Sequence, residues 1–238
     1  MRQASLDYFF NDNAHIVFRQ VCKRFPGGIR ALDDVTLSIE QGELVFLTGH
    51  SGAGKSSLLK LISMQQRVTR GQLTVAGRDL RKLPKRQIPL HRRSLGLVFQ
   101  DHQLLLNKSV FDNVALPLVI AGLGYREIGR RARAALDSVG IGDREKAMPG
   151  MLSAGQQQRV GIARAIVNKP DILLADEPTG NLDPQLSQDI MGLFRSFNER
   201  GMTVIIASHD LYLVRKLAQR VLVLQEGQLI DDVEPGSV

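Results

Sequence analysis

The chain has one cysteine in 238 residues, so Cys22 has no partner and an internal disulfide is excluded. A lone thiol fits a reducing compartment and an inert packing position. No apolar run can cross a bilayer. The longest uncharged one, Val114 to Tyr125, is broken by Pro117, Gly122 and Gly124, well short of the roughly 20 residues a spanning helix needs. Met1 to Asn13 carries Asp7 and Asp12 and lacks the apolar centre of a signal peptide, which predicts a short flexible extension over 1–14. Any role at a membrane must therefore run through another chain. Internal repeats and low-complexity tracts are also missing.

What is present suits one large domain, or a domain with a lobe inserted in it: 43% hydrophobic and 23% charged residues. The formal net charge of +7 favours an anionic partner, whether nucleotide, nucleic acid or lipid surface. Short apolar runs alternate with helical patterns, the mark of an α/β layer structure. Ile16 to Val21, Val35 to Ile39 and Leu73 to Val75 read as early strands. Val45 to Thr48 reads as a buried strand, Lys55 to Ile62 as a helix, and Leu95 to Phe99 as another strand. No strand pattern interrupts 101–149. Ile128, Ala132, Leu136 and Val139 there keep helical spacing, with Gly140 at a C-terminal cap. This predicts a helical lobe over about 101–159, inserted into a core of about 15–100 and 160–238. Ile172 to Ala175, Val204 to Ala207 and Val221 to Leu224 are uninterrupted apolar runs, as strands covered on both faces require.

Gly49-His50-Ser51-Gly52-Ala53-Gly54-Lys55-Ser56 matches G-x-x-x-x-G-K-[ST] between a strand and a helix. Glycines let successive backbone N–H groups turn inward onto phosphate oxygens, and the helix N-terminus adds partial positive charge. Lys55 is placed for the β- and γ-phosphates, Ser57 follows in the same cradle, and Ser56 is placed for Mg²⁺. Asp176 and Glu177 end an apolar run at the edge where parallel sheets bind ligands. Asp176 is placed to hold Mg²⁺ through water, and Glu177 to orient the attacking water and take its proton.

Leu152-Ser153-Ala154-Gly155-Gln156-Gln157-Gln158-Arg159 resembles the signature sequence of ABC (ATP-binding cassette) ATPases. Gln100 resembles that family's Q-loop glutamine, Asn181-Leu182-Asp183 its D-loop, and Ser208-His209-Asp210 its switch histidine. The order matches, and the resemblance spans about 15–230. It implies a P-loop (RecA-like) α/β core with an antiparallel β subdomain and an inserted helical subdomain. It also implies ATP hydrolysis in a homodimer that sandwiches two nucleotides between one copy's phosphate loop and the other copy's signature. His209 would then orient Glu177 and water, Asp183 would brace the seam or cap a helix, and Phe25 would stack on adenine or pack at a strand end. Gln100 would touch Mg²⁺ or its water. Ser153 and Gln156 also fit a capping box. Ala154 stands where the family has the first of two glycines. Alanine there costs little if its φ is negative and weakens the sandwich if it is positive.

Thr48 to Gly54, Phe99-Gln100-Asp101-His102 and Ala175 to Asp183 resemble the FtsE family of bacterial cell-division ATPases. That implies a membrane partner resembling FtsX and a peripheral place on the cytoplasmic face of the inner membrane. The ATPases of lipoprotein-release and macrolide-export systems share the Thr-Gly-Asn-Leu-Asp stretch and remain the alternative, as does a nucleotide-gated scaffold that hydrolyses little. DNA-repair ATPases of this class need a long coiled-coil insertion, for which the chain has no room, so no nucleic acid is expected. The resemblance places partner docking at Leu104 to Leu106 and Val110 to Val114, unless these are lobe core. The basic run Arg81, Lys82, Lys85, Arg86, Arg92 and Arg93 is either a solvated face or a surface attracted to anionic lipid or an acidic segment.

Overall fold

The computed structural model describes residues 14–180, 182–217 and 219–235. The extension expected over 1–14 and Asn181 of the expected D-loop therefore lie outside the described residues, Ala14 excepted. In chain order the elements begin with β1 (Ala14–Arg24), β2 (Arg30–Glu40), β3 (Leu44–Thr48), α1 (Lys55–Ile62), β4 (Arg70–Val75) and β5 (Arg78–Asp79). Next come α2 (Ile88–Arg93), β6 (Leu95–Val98), α3 (Val110–Ile120), α4 (Tyr125–Ser138) and α5 (Ala154–Ile166). The chain closes with β7 (Ile172–Asp176), α6 (Pro184–Asn198), β8 (Thr203–Ala207), α7 (Leu211–Leu217), β9 (Arg220–Gln225) and β10 (Gln228–Val233). Among the described residues, no helix is long and apolar enough to cross a membrane.

Two sheets result. A six-stranded sheet runs β10-β9-β3-β8-β7-β6, parallel except for the β9–β10 hairpin. A four-stranded antiparallel sheet runs β2-β1-β4-β5. The uninterrupted apolar runs of the large sheet have a direct cause. Phe46, Leu173, Val204 and Ile206 point into one core, which they share with α3, α4, α5 and α6. Their alternating neighbours Val45, Leu47, Ile172, Leu174 and Ile205 point into a second core, shared with α1 and the small sheet. A strand with a core on each face has no polar position to offer. The sheet is mixed rather than purely parallel because β10, with four of its six residues exposed, pairs antiparallel with β9 and closes the edge.

The helical segment is seated by polar groups as well as apolar ones. Buried Asn113 accepts from the Leu105 amide (2.7 Å) and donates to the carbonyls of Leu105, Lys108 and Ser109. Helix α4 ends as its glycine predicts. Gly140 has φ +71°, its N–H bonds the Asp137 carbonyl, and the Ile141 N–H bonds that of Leu136. Two readings of the surface left open by the sequence are narrowed. Val110 and Val114 are fully buried and belong to the lobe core; the exposed apolar side chains nearby are Leu105, Leu106, Val119 and Ile120. In the basic run Arg81, Lys82, Lys85, Arg86 and Arg92 are exposed and Arg93 is half-buried. Arg92 donates to the carbonyls of Ser63 and Met64, and Arg93 to that of Ile120, so both tie α2 to its neighbours. Cys22 is a free, buried thiol.

Candidate functional site

The loop between β3 and α1 folds as its glycines dictate. Gly49 (φ +142°) and Gly54 (φ +111°) sit where L side chains are strained, and each also lacks room for one. A Cβ on Gly49 would strike the Leu224 carbonyl, and one on Gly54 the Ala31 carbonyl. The loop closes through Ala53 N–H to the His50 carbonyl (3.1 Å) and is pinned from the β9–β10 turn by Gly227 N–H to the Ala53 carbonyl (3.0 Å). His50, Ser51, Gly52 and Ala53 curl ahead of Gly54, and Lys55, Ser56 and Ser57 open α1. The Lys55 ammonium is buried. It donates to the carbonyls of Gly49 (2.6 Å) and His50 (3.2 Å) and lies 3.9 Å from Glu177.

Glu177 and His209 reach the same cleft from the ends of neighbouring strands. After β7 the chain turns with Glu177 at φ +48°, a conformation that costs a non-glycine residue of order 1–3 kcal/mol. Its N–H continues the ladder to the Ala207 carbonyl of β8 (2.9 Å), which fixes where the carboxylate emerges. Buried Ser208 caps the next turn through the Asp210 N–H, and Asp210 caps the start of α7 at Leu213. His209 is left exposed between them, its Nδ1 2.8 Å from Glu177 Oε2. Gln100 follows β6 and lies beside Gly180, one turn beyond Glu177. With Phe25, these groups and the phosphate loop line one cleft of about 740 Å³. Phe25 is half-exposed at the cleft mouth, with the Lys23 ammonium 5.1 Å over its ring. Ile29, Arg30 and Ala31 complete that wall. Sequence reasoning missed these three because Ile29 ends the β1–β2 turn and Arg30 and Ala31 open β2 with no motif of their own; the nearby Pro26-Gly27-Gly28 turn was the only signal.

The fit of a divalent cation rests on Asp176. Its Oδ1 is buried and, among the described residues, has no hydrogen-bond partner, an expensive state for a carboxylate unless a cation or water completes it. Asp176 and Ser56 line one small recess behind the phosphate loop. No cluster of three or more His, Cys, Asp or Glu exists among the described residues. The orphaned Asp176 oxygen beside the Ser56 hydroxyl fits a cation that takes its remaining oxygens from phosphate and water, and Gln100 lines the adjoining cleft with Ser56.

The other expected groups lie away from that cleft. Ser153 caps α5 in a complete capping box, its hydroxyl accepting from the Gln156 N–H (3.3 Å) while the Gln156 side chain accepts from the Ser153 N–H (3.1 Å). Ala154 is the first helical residue and does not have a positive φ, so the methyl replacing the family's glycine introduces no backbone strain. Gly155 is different: a Cβ there would come within 3.0 Å of the Leu186 side chain. Asp183 caps α6, accepting from the N–H groups of Gln185 (3.0 Å) and Leu186 (2.9 Å). The ends of α5 and α6 thus form one unit, and among the described residues it lines no part of the cleft around Lys55.

The ABC transporter family model matches residues 32–180. The cell division ATP-binding protein FtsE of Escherichia coli K12 is 52% identical over 214 residues, covering 90% of this chain and 96% of that protein. The dimeric structure of MJ0796, a bacterial ABC transporter cassette, aligns with a TM-score of 0.85 at 34% identity, covering 92% of this chain and 98% of that one. A dimeric post-hydrolysis state of the same cassette, bound to ADP and Pi, aligns at 33% identity with the same coverage and a TM-score of 0.85.

Proposed function

The chain belongs to the ABC-transporter ATPases, and within them to the FtsE cell-division ATP-binding proteins, so it binds and hydrolyses ATP; from that premise we propose how its residues do so and what they drive. One observation carries the reading: Lys55, Glu177 and His209 converge on one cleft, with His209 2.8 Å from the Glu177 carboxylate. Lys55 leaves the loop carbonyls for the β- and γ-phosphates. Glu177 orients the attacking water and accepts its proton, while His209 holds Glu177 and hydrogen-bonds the γ-phosphate. Phe25 carries adenine, and His50, Ser51, Gly52, Ala53, Gly54 and Ser57 surround the phosphates. Ser56, Asp176 and Gln100 would hold Mg²⁺, which neutralises charge on the phosphate oxygens.

The half-site formed by Ser153, Ala154, Gly155, Gln156 and Asp183 serves the nucleotide of a second copy. The γ-phosphate completes the N-terminus of the partner's α5 and draws the two copies together. Swinging the closed fraction from 1% to 99% takes about 5.5 kcal/mol of differential binding. Charge-assisted hydrogen bonds of about 1.5–3 kcal/mol each, at two sites, supply that. Hydrolysis removes the bridge. The cycle drives an integral membrane partner resembling FtsX, docked at Leu105, Leu106, Val119 and Ile120. The protein is held peripherally at the cytoplasmic face of the membrane and regulates cell-wall hydrolysis from there.

Phosphate release by the wild type against Glu177→Gln tests the chemistry. Loss of turnover with ATP binding retained supports it; equal background rates in both would make the protein a nucleotide-gated scaffold. Purification from membranes with identification of the bound integral protein tests the partner. Recovery of a lipoprotein-release permease would overturn the cell-division role and leave the ATPase intact.

A further inference from the structure

The turn after Gln100 is held in an unusual way. The Gln103 N–H bonds the Asp101 carbonyl (2.6 Å) across His102, which has φ +56°. That is a three-residue turn in its rarer, strained hand. Gln103 itself has φ +46°. Two adjacent non-glycine residues in the left-handed region persist only where their surroundings hold them there.

Arg164 of α5 does the holding. Its guanidinium donates to the His102 carbonyl (2.6 Å) and to the Gln103 carbonyl (2.7 Å). The guanidinium is half-buried, and its partial desolvation lowers the Arg164 pKa. Among the described residues its bonded partners are these two carbonyls, with no carboxylate alongside. Holding a half-buried cation on two loop carbonyls carries a desolvation cost that apolar packing at the same place would avoid. The rest of the contact follows the same side of the helix. Gly161 lies three residues before Arg164, and a Cβ on it would touch the His102 carbonyl at 3.9 Å.

The other end of α5 is Ser153, roughly 16 Å away along a rigid helix. One helix therefore grips the Gln100 turn of its own nucleotide cleft and presents its capped end to the other nucleotide. We propose that Arg164 is a positioning residue for ATP hydrolysis: it couples the turn carrying Gln100 to α5, so that nucleotide at one site sets the pose of the helix end that serves the second. This rests on the dimeric sandwich proposed above. When Gln100 moves toward the cation and γ-phosphate, the strained turn shifts, and α5 shifts with it because Arg164 bridges both carbonyls. The two sites of the dimer become energetically linked within each chain.

The test measures phosphate release across ATP concentration for the full-length wild type, Arg164→Gln, Gln100→Ala and the double variant. Binding of the fluorescent nucleotide mant-ATP and the thermal midpoint are read alongside. The wild type is expected to show a Hill coefficient approaching about 2, the number of coupled sites. Arg164→Gln should bring it towards about 1 and lower kcat roughly tenfold or more, as loss of charge-assisted bonds implies. Its mant-ATP affinity should stay within about twofold, since no cleft contact is lost. The double variant should be no worse than Gln100→Ala, the signature of two residues on one route. If Arg164→Gln fails to fold, Arg164→Lys carries the same comparison, because it keeps the charge but donates from a single nitrogen. Retained cooperativity in the variant, multiplying effects in the double variant, or mant-ATP binding that falls in step with the thermal midpoint would each overturn the proposal. Those results with Glu177→Gln still inactive would sink the Arg164 coupling alone. Wild-type turnover in Glu177→Gln would sink the catalytic reading beneath it.

Discussion

The two halves of the proposed nucleotide site are built on opposite principles. The half around Lys55, Glu177 and His209 is a convergence of side chains from strand ends and the phosphate loop, and its charges already engage one another. The half around Ser153, Gly155 and Asp183 is backbone: two capped helix starts pressed together through Gly155 and Leu186. The first is suited to moving a proton and holding charge. The second is suited to presenting N–H groups in a fixed frame to something brought from outside. Chemistry and closure are thereby assigned to different parts of the same chain.

Perturbing each half separately breaks or sharpens that contrast. The largest effect is expected for His209→Ala, which removes the Glu177 partner; kcat should fall roughly 10²-fold or more with little change in nucleotide affinity. A steady-state phosphate-release assay beside nucleotide titration checks it, and a rise in KM alone would contradict the catalytic half. Gly155→Leu comes next. The added side chain meets Leu186, and overpacking of this kind costs about 1–3 kcal/mol. ATP-driven dimerisation, followed by light scattering, should be lost while single copies still bind ATP. By contrast Ala154→Gly should leave dimerisation unchanged. Ser153→Ala removes one cap worth about 1 kcal/mol, a fall of about 2–4 °C in Tm for a chain of this size.

The smallest effect is on pH. His15, His91 and His102 all have pKa values lowered, chiefly by burial. Their unfolded forms bind protons first, so unfolding free energy should rise with pH up to about 6.5 and fall as acid takes the solution below it. Urea denaturation at a series of pH values measures the slope. His15→Gln should flatten it, since His15 is held neutral against Thr203 (2.7 Å) at the base of the sheet.

Much of this was legible in the residues because two-sided burial leaves an unmistakable trace. The runs Val45 to Thr48, Ile172 to Ala175 and Val204 to Ala207 become strands with a core on each face. The phosphate loop and the acids after β7 stood out for a related reason: their chemistry needs fixed residue types at fixed spacing. The illegible parts are those where pattern and burial part company. Strand β10 is a mostly exposed edge with Asp231 and Asp232, so it has no apolar signature. Helix α2 is six residues long with Pro89 in its first turn, too short for a period. Strand β6 stops at Val98 rather than Phe99, where the chain turns towards Gln100. Val110 and Val114 carried the same apolar label as Leu105 and Leu106, and only the packing of α3 separates core from surface.

Asn113 gives that surface a further property. Four hydrogen bonds from one buried amide fix the backbone from Leu105 to Ser109, so exposed Leu105 and Leu106 are displayed on a loop already set in shape. A partner meeting them spends little entropy on ordering the loop. Capture is then governed by how often the two surfaces collide in register, and residence time by how well the leucines fill the pocket offered to them.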